Sequence, residues 1–206
     1  MTLQYSLAVN NHSGQLQDVC IYQKPTDLGV PNTLSLAWLT APCWPGGSVP
    51  FVWRLDYSLF LAQTGSLRPG AVVVAQQTVP ADPEDVSANQ ILLGYGEGAL
   101  DFQPGSATAT LQPGSLYVRI LSSVPTAMAA VGIGTEGAGV FAVQAEPNQN
   151  FVFTPHPEYW ITAGNFLQGQ VLDLEQVSNE ARLGFEGTFA MEATLSASNT
   201  WTVSAA

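Results

Sequence analysis

Basic charge is what this sequence has least of. One lysine, Lys24, and four arginines, Arg54, Arg68, Arg119 and Arg182, stand against 16 acidic residues, giving a net charge of −11. Recognition of a phosphate backbone needs lysines and arginines clustered on one face. Five basic residues scattered over 206 positions build no such stripe, so nucleic acid is excluded as an expected partner. Attraction to anionic lipid headgroups is disfavoured for the same reason. Charge of either sign is scarce, at 10% of residues against the ~25% of ordinary globular chains. The scarcity is not that of a disordered chain, which lacks apolar and aromatic residues. Here 46% of residues are hydrophobic, with five Trp, six Tyr and nine Phe.

Cysteine is nearly absent as well. Cys20 and Cys43 are too few for a disulfide framework and are expected as reduced thiols. No histidine pair lies near them to complete a zinc site, and no cofactor or metal is expected. No apolar run approaches the ~18 residues of a membrane-spanning helix. The opening Met1–Tyr5 has neither a basic nor an apolar signal region, and polar Asn10-Asn11-His12 follows. The chain is therefore expected to be cytoplasmic as synthesised, with any release leaderless.

Helical periodicity is missing too, and alternation takes its place. Leu3, Tyr5, Leu7 and Val9 alternate with Gln4, Ser6 and Ala8, the period-2 pattern of a half-buried strand. Similar runs recur along the chain. They include Val19–Gln23, Leu34–Trp38, Val49–Leu55, Ala71–Val79, Gln90–Tyr95, Ala107–Leu111, Leu116–Leu121, Ala127–Ile133, Val140–Ala145, Asn150–Thr154, Tyr159–Thr162 and Gln170–Leu174. A terminal hairpin, Thr188–Leu195 with Thr200–Val203, closes the series. Pro45-Gly46, Pro69-Gly70, Pro104-Gly105 and Pro113-Gly114 separate such runs. Proline presets φ at the first central position of a turn, and glycine accepts positive φ at the second. Only Asp82-Pro83 and the stretch Leu174–Ala181 suggest even a turn of helix. No linker divides the chain. The expected fold is all-β, a single domain over residues 1–206, built as an antiparallel β-sandwich of jelly-roll-like or Greek-key type.

Candidate chemistry is thin. His156 lies in Thr154-Pro-His-Pro-Glu-Tyr-Trp160, where a histidine, Glu158, Tyr159 and Trp160 fall within five residues. That grouping reads as a small-molecule or metal site, or as a rigid extended connection between two prolines. Trp44, between Pro42 and Pro45, reads as an exposed stacking platform or as a plug at one end of the sandwich. Gly132-Ile-Gly-Thr-Glu-Gly137 spells G-x-G-x-x-G, but a strand-like run follows where a dinucleotide site needs a helix. These glycines are expected in a hairpin turn. There is no Gly-x-Ser-x-Gly elbow. The acidic Asp82, Glu84 and Asp85 lack calcium-loop spacing.

Leu36-Ala-Trp-Leu39, Val49-Pro-Phe-Val-Trp53, Val131-Gly-Ile-Gly134 and Phe153-Thr-Pro-His-Pro-Glu-Tyr-Trp160 resemble segments of an uncharacterised group of acidic, leaderless bacterial all-β proteins. The resemblance brings no activity with it.

The leading functional expectation is a non-catalytic interaction protein that self-associates into a homo-oligomer. Few charges and many aromatics are the composition of interface cores, and lysine, the usual guard of sheet edges, is limited to Lys24. The alternative is a leaderless toxin or lectin-like protein that binds a membrane or glycan surface, with Trp44, His156, Glu158, Tyr159 and Trp160 as its binding residues. A further alternative is a hydrolase that uses carboxylates and His156.

Overall fold

A computed structural model describes residues 4–104 and 111–206. Seventeen strands follow one another, and no helix occurs among the described residues. They are β1 (Gln4–Asn11), β2 (Gln17–Gln23), β3 (Leu34–Ser35), β4 (Leu39–Cys43), β5 (Ser48–Arg54), β6 (Tyr57–Ala62), β7 (Gln77–Pro80), β8 (Gln90–Gly96) and β9 (Ala99–Pro104). Then come β10 (Leu116–Ile120), β11 (Ala129–Thr135), β12 (Ala138–Ala145), β13 (Asn150–Phe153), β14 (Tyr159–Gly164), β15 (Glu180–Leu183), β16 (Ala190–Leu195) and β17 (Trp201–Ala205).

The all-β expectation holds, and the sheets are more numerous than a two-layer sandwich implies. Their orders are β17-β16-β1-β5, β15-β14-β2-β4, β3-β12-β11-β6-β7 and β13-β10-β8-β9. All four contribute to one core that runs from Leu7 and Trp53 through Ile21, Tyr159 and Val131 to Leu93 and Phe153. Pairing is antiparallel except for β1 with β16 and β8 with β10. Both parallel pairs join strands distant in sequence, because a tight turn can only reverse the chain. Residues 34–43 tie two sheets together. β3 pairs with β12, and the same stretch continues as β4 against β2, with the Trp38 N–H bonding the Ile21 carbonyl.

Two sheets are covered on both faces. Cys20, Tyr22, Ala37 and Leu172 form a second layer outside β2 and β14. Leu36, Phe60, Val73 and Val171 do the same outside β6, β11 and β12. This is why β11 is buried at every position and reads as a continuous apolar run. The covering segments are irregular. Of the strand expected over Ala71–Val79 only Gln77–Pro80 forms, and the Gln170–Leu174 run supplies isolated bridges at Gln170 and Val171. Their backbone groups bond each other across the layer instead, as in Val73 N–H to Gly169 C=O. The stretch expected to turn once does so, with the Val177 N–H on the Asp173 carbonyl.

Gly46, Gly70 and Gly114 hold φ of 73°, 83° and 89°, as their Pro-Gly turns require; Gly105 and most of the expected Ala107–Leu111 strand lie outside the described residues. The G-x-G-x-x-G run divides. Gly137 (φ 73°) follows Glu136 (φ 52°) in the two-residue turn of the β11–β12 hairpin, the pair of positive φ values that a type I′ turn needs. Gly132 and Gly134 lie within β11, where a side chain at Gly132 would collide with the Phe141 carbonyl and the Phe60 ring.

Candidate functional site

The aromatic residues converge at one end of the sandwich. Tyr5 is the second residue of β1, Tyr159 opens β14, and Phe185 follows β15. Their ring centroids lie 5.0–5.8 Å apart, mostly edge to face. Trp38 and Trp53 back them from the core, 5.9 and 5.2 Å from Tyr159. Phe189, half exposed, stands 5.6 Å from Tyr5, held there by the bond from the Ser6 N–H to the Phe189 carbonyl.

The rings of Tyr5, Tyr159 and Phe185 floor a cleft of about 180 Å³ whose rim is charged. Arg182 reaches Glu158 through Nε at 3.0 Å and Glu186 through a terminal nitrogen at 2.7 Å. The Thr26 hydroxyl approaches the other Glu158 oxygen at 3.3 Å. Glu186 is held below the ordinary carboxylate range, first by its own backbone N–H and then by Arg182. A carboxylate so held accepts hydrogen bonds well and is a poor general acid. Burial pushes the Tyr159 hydroxyl well above the ordinary tyrosine range, against a smaller opposing effect of the Trp53 indole beside it. The two do not meet in hydrogen-bond geometry, and neither Tyr159 Oη nor Trp53 Nε1 has a partner among the described residues.

The sequence pointed to five residues, and the structure brings two of them together. Glu158 and Tyr159 line the cleft, with Tyr159 only 4% exposed as part of its floor. Trp160 points to the opposite face of β14 by strand alternation, where the Lys24 ammonium sits 3.6 Å from its ring centroid. Lys24 also pairs with Glu180 at 2.5 Å, so the lone lysine guards no edge. His156 is exposed and borders a separate small cavity beside Tyr57 and Thr135. Trp44, 67% exposed, sits in the β4–β5 turn next to Asn11. Tyr5 and Asn11 are at opposite ends of β1, about 20 Å apart at strand rise. Trp44 is therefore remote from the cleft.

Tyr5, Arg182, Phe185 and Glu186 were missed. Tyr5 looked like any inward residue of a first strand. The Arg-x-x-x-Glu spacing of 182 and 186 carries no signature in a sequence that reads as strands. Among the described residues no three His, Cys, Asp or Glu side chains gather as a metal site. Cys20 and Cys43 are free and buried.

Fold and cleft together define an all-β sandwich with a small aromatic-floored, acid-rimmed depression at one end. A family model described as RhiA matches residues 2–206. Protein RhiA of Rhizobium leguminosarum bv. viciae is 32% identical over 207 residues, covering 98% of this chain and 87% of that one. The chain belongs to the RhiA family, which gives the expected bacterial group its name. No solved structure matches it significantly.

Proposed function

We propose that this protein is a non-catalytic binding protein whose cleft holds a neutral, hydroxyl-rich ring of the glycan class, the lectin-like reading of its sequence. The observation that carries the reading is the cleft itself. Ring edges and faces from Tyr5 and Phe185 suit the C–H face of a sugar. Glu158 and Glu186 accept from hydroxyls, and Arg182 donates. The rim sums to one negative charge, which favours a neutral ligand over an anionic one. The volume suits one ring rather than a drug-sized ligand.

A glycan microarray with the whole protein tests this. Binding to a set of neutral glycans is expected, with the signal falling at least ~10-fold in Phe185→Ala and in Arg182→Gln, the loss of a stacking ring or of a charged donor. Silence across neutral glycans, or signal untouched by both substitutions, contradicts it.

Self-association is a second reading, favoured by the outer face of the β17-β16-β1-β5 sheet. Ser6, Ala8, Pro50, Val52, Thr194 and Thr202 lie on it, with Val52 54% exposed. Its charges are Glu192, bonded by Asn10 at 2.6 Å, and Arg54. Two copies of a chain of net charge −11 repel least across such a face. Sedimentation is expected to show a species heavier than the 21.8 kDa chain, and a clean monomer over a hundredfold concentration range removes this reading. The acidic and leaderless character of the wider family belongs to the same proposal.

A further inference from the structure

Two of the five cations are neutralised in ion pairs, Lys24 and Arg182. Arg119 has no carboxylate and no side-chain hydrogen-bond partner among the described residues, and it is exposed. It stands on the outer face of the β13-β10-β8-β9 sheet, because Leu116, Val118 and Ile120 turn inward and leave Tyr117 and Arg119 facing out. The register sets Asn150 and Leu92 beside Arg119, and Val152 and Gln90 beside Tyr117.

Gln90, Tyr117, Arg119, Asn150 and Val152 line a groove of about 350 Å³, within the range of small-ligand sites. None of its lining residues is acidic, in a chain where acids outnumber bases 16 to 5. The Tyr117 ring is fixed in place, because its hydroxyl accepts a bond from the Gln112 N–H at 3.0 Å. Val152, 39% exposed, continues the apolar wall, and Gln90 and Asn150 add amide donors and acceptors.

We propose that this groove binds a small ligand bearing a carboxylate, with the Arg119 guanidinium forked onto it and the body of the ligand against Tyr117 and Val152. A guanidinium presents paired N–H groups that match the two carboxylate oxygens. The overall negative field repels anions, so a free carboxylate gains little. Only a ligand that also fills the groove overcomes the repulsion. The site differs from the cleft in the charge it selects. At the cleft Arg182 is already spanned by two carboxylates, and here the guanidinium is open.

The test is calorimetric titration of the full chain carrying Arg182→Gln, which weakens neutral-ring binding at the cleft, with sodium glucuronate, glucose and sodium succinate. Glucuronate binding is expected, with glucose at least ~10-fold weaker. Succinate as tight as glucuronate identifies an organic acid as the ligand type, and succinate weaker identifies a sugar acid. Arg119→Ala is expected to lose at least ~10-fold, and Arg119→Lys to fall between, since an ammonium keeps the charge but not the fork. Arg119 is exposed, so both variants should keep the melting temperature of the Arg182→Gln chain, which separates lost binding from lost folding. Absence of binding by both carboxylates at about 10 mM, the weak end of measurable affinity, overturns the proposal. Equal affinity for glucose and glucuronate, or binding indifferent to Arg119→Ala, overturns it too. In the chain that keeps Arg182, Arg119→Ala leaves neutral-glycan binding at the cleft intact, so failure here and failure there are read separately.

Discussion

Burial makes several side chains behave unlike their free counterparts. Desolvation pushes Tyr57 up to about 12 and carries Tyr159 and Tyr22 beyond the ordinary tyrosine range, with Glu180 adding to the rise at Tyr22. A phenol whose folded pKa lies above its unfolded value keeps its proton after the unfolded chain has lost it. Stability from these groups is thus intact below about pH 10 and declines as pH rises toward 12. Phenolate absorbance of the folded protein should fall short of six tyrosines at about pH 11 and jump on unfolding; a full six-tyrosine signal from the folded state contradicts the burial. Glycines divide by surroundings. At Gly132 an added Cβ would stand 1.8 Å from the Phe141 carbonyl oxygen and 2.7 Å from the Phe60 ring, whereas at Gly137 nothing lies within 4 Å. Gly132→Ala should cost about 3 kcal/mol by overpacking, and Gly137→Ala only about 1 kcal/mol of left-handed strain. Urea midpoints of the two variants check this, and equal costs contradict it. Neither role of the Gly-rich run was separable in the sequence, since strand and turn glycines look alike before the hairpin register is known.

At the scale of elements, the sheet edges show how the chain manages with one lysine. In β5 the bond from the Asn11 N–H to the Gly47 carbonyl sets the alternation that turns 48, 50, 52 and 54 outward. Pro50 therefore presents no N–H to a neighbour, and the Arg54 N–H is taken by Glu136 at 2.7 Å. Pro80 of β7 faces outward by the same count from the Ala81–Tyr57 bond, and Pro104 of β9 by the count from its two-residue hairpin. The outward N–H of Phe102 is capped by Gln77 at 2.8 Å. β3 has two residues, and the Thr154 N–H beyond β13 is held by the Leu28 carbonyl. Prolines and side-chain caps thus do what edge lysines do elsewhere. Replacing Pro50, Pro80 and Pro104 together by Thr restores three outward donors. Light scattering should then show weight-average mass at least ~2-fold above wild type, the step to a paired edge; unchanged mass contradicts the guarding role. The strands were legible from alternation and the turns from Pro-Gly pairs, because both signals are local. Four sheets rather than two, and the parallel return of β16 beside β1, were not legible, because strand order is set by long-range burial that no local pattern encodes. The covering segments near Val73 and Val171 carried strand-like composition yet bond across a layer.

For the molecule as a whole, the same division of local and distant explains the site. Glu158 and Tyr159 were visible as neighbours in a short aromatic run. Their partners come from β1, which carries Tyr5, and from β15 and the turn after it, which carry Arg182 and Phe185, and they meet only once two sheets close at one end. Trp44, the most conspicuous exposed aromatic in the sequence, ends up at the other end of β1. That separation gives the central claim its most direct measurement, which is mapping of aromatic and arginine side-chain NMR resonances during titration with the neutral glycan that binds best. The account predicts shifts confined to Tyr5, Tyr159, Phe185, Phe189 and Arg182, with the Trp44 indole unmoved. Shifts centred on Trp44, or none at the Tyr5–Phe185 cleft while the glycan binds, would contradict it.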